Sequence, residues 1–110
     1  MVDKIKLVQG DTRPALVCTL TDESTNLAIN IGGATPRLKF RALGAATLTA
    51  TVIGTVTDGA NGICVFFPAS APEMLSGTAG DYEGEIEITF DNGEIQTIYD
   101  ILRFKVREEF

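Results

Sequence analysis

The stretch Gly80-Asp81-Tyr82-Glu83-Gly84-Glu85-Ile86-Glu87-Ile88-Thr89-Phe90-Asp91-Asn92-Gly93-Glu94 decides how the fold is read. From Asp81 to Phe90 the side chains alternate, with Tyr82, Ile86, Ile88 and Phe90 on one side and Glu83, Glu85, Glu87 and Thr89 on the other. A period of two places one face against a core and the other in solvent, which is the signature of a half-buried strand. Gly84 takes an inward slot and leaves room there for a large neighbour. Asn92-Gly93 predicts a type I′ hairpin turn that pairs Phe90 with Ile95. Continued from that pairing, Ile95, Thr97, Tyr99 and Ile101 would face inward. Leu102, Phe104 and Val106 demand the opposite parity, so a one-residue slip is expected near Asp100. Beyond the slip, Arg103 falls beside Glu83.

The rest of the chain repeats this alternation in shorter pieces. Lys4 to Gln9 reads as a first strand with Ile5 and Leu7 inward. Pro14 restrains the backbone and lacks an amide donor, which suits the start of a second strand carrying Leu16, Cys18 and Leu20 inward. Leu27, Ile29 and Ile31 suggest a short edge strand or an extended loop. Thr35 to Arg41 places Leu38 and Phe40 toward the core and Arg37, Lys39 and Arg41 toward solvent. Thr47 to Thr57 is β-branched but interrupted by Gly54, which predicts a bend or two short strands. Asp58-Gly59 and Asn61-Gly62 signal turns before a strand from Ile63 to Phe67, whose last two phenylalanines must point to opposite faces. Between Pro68 and Ser76, a single helical turn is expected to begin near Ser70 or Pro72, with Met74 or Leu75 closing one end of the core.

Composition agrees with this pattern. The chain has 110 residues, 45% of them apolar, and its Val, Ile and Thr total thirty. At this size one core buries roughly 65% of the surface the unfolded chain exposes, so a single domain spanning residues 1–110 is expected. The fold class that follows is all-β: an antiparallel, immunoglobulin-like β-sandwich with one short helical turn.

Nine basic against fifteen acidic side chains give a formal charge of -6, which argues against a nucleic-acid partner held by phosphate neutralisation. The basic residues form alternate-spaced rows, Lys4 and Lys6, then Arg37, Lys39 and Arg41, then Arg103, Lys105 and Arg107. No base lies between Arg41 and Arg103, where nine acids do. Complementary rows on neighbouring strands explain this without a partner; an electrostatic docking surface is the functional alternative. Cys18 and Cys64 sit in apolar strand-like runs and read as buried free thiols, a bridge requiring that their strands face one another. No apolar run is long enough for a membrane span.

Catalytic chemistry finds little support. There is no histidine, so imidazole acid–base work, His-based triads and His-containing metal sites are excluded within one chain. Glu83, Glu85 and Glu87 are spaced nearly 7 Å apart along a strand, with no apolar pocket to perturb them. Asp91 to Glu94 suits a hairpin better than a calcium loop. The glycine pairs lack the phosphate-loop pattern and its lysine. No enzyme activity, cofactor or metal is expected.

Taken in order, Gly10-Asp11-Thr12-Arg13-Pro14, Leu20-Thr21-Asp22, Ile31-Gly32-Gly33-Ala34 before Leu38-Lys39-Phe40-Arg41, Gly80-Asp81-Tyr82-Glu83-Gly84-Glu85 and Phe90-Asp91-Asn92-Gly93 resemble the N-terminal β-sandwich domain of tailed-phage baseplate upper proteins and related tail-fibre adaptors. The resemblance implies a structural virion part in the tail or baseplate, assembled in the host cytoplasm. Its partners would be tail or baseplate proteins, with self-association open. Candidate contact residues are Thr12, Arg13 and Pro14, the row Arg37, Lys39 and Arg41, and Glu73 and Met74 in the loop from Pro68 to Gly80. A host-surface carbohydrate-binding module and a capsid decoration protein are the competing readings.

Overall fold

A computed structural model describes residues 5–11, 13, 15–22, 24–68, 71, 74–98 and 101–108. Among them are nine strands: β1 (Ile5–Val8), β2 (Leu16–Thr19), β3 (Thr35–Ala42), β4 (Ala50–Ile53), β5 (Thr55–Asp58), β6 (Ile63–Phe66), β7 (Gly80–Thr89), β8 (Ile95–Thr97) and β9 (Leu102–Arg107). The larger sheet runs β1-β9-β7-β3-β4, and β8 extends it by pairing with β7; the smaller runs β2-β6-β5. The fold is all-β and sandwich-like. One pairing departs from the antiparallel expectation, because β1 lies parallel to β9, Ile5 opposite Phe104 and Leu7 opposite Val106. That pairing joins the first and last strands, and local pattern carries no information about it.

Gly54 divides its β-branched stretch between two sheets. β4 pairs with β3 in the larger sheet and β5 with β6 in the smaller, so the chain crosses the sandwich within one residue. A Cβ at Gly54 would lie 2.7 Å from the Phe66 ring, too close for any side chain at the crossing. One 3-10 turn runs Gly59–Asn61, and Pro68 and Met74 also have 3-10 conformation. The helical turn expected near Ser70 or Pro72 falls mostly outside the described residues. Flanking it, the amides of Ala71 and Met74 donate to the carbonyls of Pro68 and Ala71. The segment around Leu27 to Ile31 is an extended loop with one isolated bridge, Thr21 to Ala28.

The hairpin differs from the expected two-residue turn. Thr89 pairs with Ile95. The Phe90 amide donates to the Glu94 carbonyl at 2.8 Å, and the Gly93 amide to the Phe90 carbonyl at 3.0 Å. Three residues, Asp91 to Gly93, therefore form the loop, a turn over Phe90 to Gly93 finished by Gly93 at φ 90°. This is the three-residue hairpin class, in which a residue with positive φ follows the turn. The extra loop residue reverses the parity of everything after it. Ile95 and Thr97 face outward, Ile98 packs on the core, and Ile101 is exposed, contrary to the inward series expected for them. The pairing sum changes from Thr89–Ile95 to Gly84–Leu102, a two-residue offset between Ile98 and Leu102. An even offset preserves faces, so no inversion is needed near Asp100, which itself lies outside the described residues.

The core lies between the sheets. Phe40 stacks on Tyr82 with centroids 4.7 Å apart and meets Phe104 edge-on at 5.1 Å. Gly84 sits opposite Phe40, where a Cβ would come within 2.8 Å of the Phe104 ring and 2.9 Å of Leu38. Space left by the glycine is thus filled by its neighbours' side chains. Leu16, Leu20, Cys64 and Phe66 supply the opposing layer, while Ala71, Met74 and Leu75 close an end. Each large side chain buried this fully contributes about 1.5–3 kcal/mol.

Candidate functional site

The outer face of the larger sheet gathers the charged rows. β7 presents Asp81, Glu83, Glu85 and Glu87 between two basic strands, β3 with Arg37, Lys39 and Arg41, and β9 with Arg103, Lys105 and Arg107. Alternation places these side chains on one face, and antiparallel pairing sets the rows side by side. Arg41 Nε donates to Glu83 Oε2 at 2.6 Å, and Arg103 Nη1 stands 3.7 Å from Oε1 of the same carboxylate. Lys39 passes over its direct partner Glu85 and donates diagonally to Glu87 at 2.7 Å. Arg37 likewise reaches past Glu87 to donate to the Thr89 hydroxyl at 3.0 Å.

These bonds change the meaning of the basic row. Arg37, Lys39 and Arg41 are half-buried and engaged within their own sheet, so they stiffen the face before they can attract anything to it. Glu83, expected to point into solvent, is 8% exposed because two guanidiniums cover it. Exposed pairs of this kind contribute little each, and a shared, covered carboxylate contributes more. A shallow depression of about 100 Å³ lies over the row, lined by Lys39, Arg41, Leu48, Glu83, Glu85 and Ile101.

The other candidates separate. Thr12, Pro14 and Glu73 lie outside the described residues. Arg13 is exposed. Met74 is 1% exposed within the core, so the chain offers none of it to a partner; it serves as the end cap that its position also suggested.

Sequence reading missed the apolar frame of this face. Ile53 stands beside Arg37 on β4, Ile95 beside Thr89 on β8, and Leu48 and Ile101 wall the depression, all four exposed. Ile95 and Ile101 were hidden by the parity of the hairpin. Leu48 and Ile53 belong to a stretch in which every position is apolar or threonine, and alternation there has no contrast.

Two further surfaces adjoin the edges. A groove of about 430 Å³ runs beside β2, where Leu16, Cys18 and Leu20 meet Ile5, Ile86 and Leu102 of the larger sheet and Ile98 just past β8. At the β1 edge, Lys6, Lys105 and Arg107 surround a second hollow with Leu7 and Val8. Titration is perturbed elsewhere: the hydroxyl and amide of Ser24 hold the Asp22 carboxyl below its ordinary value. Burial raises the Cys18 thiol, and burial together with the neighbouring Cys18 pushes Cys64 up to about 11. Among the described residues, no cluster of three His, Cys, Asp or Glu could hold a metal, and no helix is long and apolar enough to cross a membrane.

The backbone has a counterpart among solved structures. It superposes on the N-terminal domain of phage TP901-1 ORF48 with a TM-score of 0.65, covering 98% of this chain and 86% of that one at 16% identity. At that identity the likeness is one of fold. No protein-family model matches the sequence, and no curated protein does.

Proposed function

We propose that the chain is a structural component of a phage particle, a non-catalytic attachment or adaptor domain of the tail or baseplate acting through protein–protein contacts. The observation that carries this reading is the near end-to-end correspondence of its fold with the N-terminal domain of a phage protein. The order of sequence motifs resembling baseplate upper proteins points the same way. A sheet face stiffened by the Arg41–Glu83–Arg103 ladder and framed by exposed isoleucines suits a rigid contact surface, since little side-chain freedom remains to be lost on docking.

Carbohydrate recognition has less to recommend it. Phe40, Phe66, Tyr82 and Phe104 are buried, and the exposed aromatic among the described residues is Phe67. The deciding experiment is electron microscopy of phage particles carrying a gold label on this chain. Label at the tail or its tip supports the proposal, and label over the head replaces it with capsid decoration. Unlabelled particles, together with glycan-array binding by the isolated chain, would replace it with the carbohydrate-binding reading.

A further inference from the structure

Cys18 on β2 and Cys64 on β6 are direct partners in the antiparallel register. Two positions along the same ladder, the Leu20 amide donates to the Gly62 carbonyl at 2.8 Å. Hydrogen-bonded pairs recur every second residue, so Cys18 and Cys64 form one, which sets their Cα atoms about 5.5 Å apart. Disulfides span Cα separations of about 4.4–6.8 Å. The two thiols differ in access. Cys18 is half-buried and lines the groove beside β2, whereas Cys64 is fully buried next to it. These are the chain's only two cysteines, so they have no other intrachain partner.

We propose that Cys18 and Cys64 are a thiol–disulfide exchange site, converted to a cross-strand bridge by a low-molecular-weight disulfide that enters through the groove. The Cys18 thiolate attacks one sulfur of the small disulfide, whose S–S bond breaks and whose other sulfur leaves as a thiolate and takes a proton. Cys64 then gives its proton to solvent base and attacks the Cys18 sulfur, expelling the second small thiol. The protein loses two hydrogens and two electrons, and the small disulfide becomes two thiols. Burial raises both cysteines, so exchange quickens as pH rises. Hydrogen-bonded pairs hold their Cβ atoms wider than the ~3.8 Å of a relaxed bridge, so this one forms under strain and is readily reduced.

The test is incubation of the reduced chain with oxidised glutathione at mildly alkaline pH, followed by acid quench, intact-mass measurement and thiol titration in denaturant. The expected product is a monomer lighter by two hydrogens with both thiols lost, restored by reduced glutathione without denaturant. Cys64→Ser should stop at a single glutathione adduct on Cys18, and Cys18→Ser should stay unmodified. A wild-type chain that keeps two thiols, holds a glutathione adduct, or links to a second copy would overturn the proposal. None of these outcomes depends on where the chain resides in a particle.

Discussion

Arg41 and Glu83 face each other directly across β3 and β7, and the guanidinium Nε donates to the carboxylate at 2.6 Å. Arg103 approaches from the opposite strand at 3.7 Å, so one carboxylate ties three strands together. Glu83→Gln keeps the shape but removes the charge, leaving two guanidiniums over a neutral amide. Its expected cost is about 1–2 kcal/mol, read from the shift of the urea midpoint. Glu85, on the same strand face, makes no comparable pair among the described residues, and Glu85→Gln should leave the midpoint where it is. Equal losses for the two substitutions would mean that the ladder does not stabilise the sheet.

Two glycines of β7 and its hairpin should fail for different reasons. Gly84→Ala puts a methyl group into the Phe104 and Leu38 side chains and should cost about 1–3 kcal/mol by overpacking. Gly84→Ala combined with Leu38→Val should recover part of that loss. Gly93→Ala meets no atom within 4 Å, yet must adopt φ 90°, and is expected to cost about 1 kcal/mol. In the Gly93→Ala background Leu38→Val should add only its own cavity cost of about 1 kcal/mol and recover nothing; thermal unfolding of these four proteins, with Leu38→Val alone as the reference, checks both statements.

Met74 and Arg13 distinguish the interior from the surface among the residues first singled out as contacts. Met74→Ala empties a fully buried site and should lower stability by about 2–5 kcal/mol. Arg13→Ala should leave the unfolding midpoint unchanged. Any loss of particle incorporation caused by Arg13→Ala would then report a contact and not a weakened fold.

Alkaline stability should carry the imprint of Cys64. The fold holds its thiol protonated up to about 11, while the ordinary value is 9.0. The folded state therefore binds the proton more tightly than the unfolded chain, and the stabilisation is complete below pH 9 and lost as pH rises toward 11. Under reducing conditions, stability should fall by up to about 2–3 kcal/mol across that window. Cys64→Val should reduce this fall, leaving the smaller slope of the Cys18 thiol that burial also raises, as followed by denaturant melts at successive pH values.

Sequence alone determined which side chains of β3, β7 and β9 face the core, because a period of two is a property of the extended backbone and needs no partner. Leu38, Phe40, Ile86, Ile88, Phe104 and Val106 are buried as their alternation requires, and the vacancy at Gly84 was legible beside them. It also brought Arg103 beside Glu83, although through a different offset. Tertiary structure decided the width of the hairpin loop, the passage of the chain between sheets at Gly54, the parallel union of β1 with β9, and the diagonal reach of Lys39 and Arg37. All but the first depend on pairing between residues far apart in the chain. Asn92-Gly93 is compatible with loops of two or three residues, and only the packing of Ile98, Leu102 and Phe104 against the core selects the parity that survives.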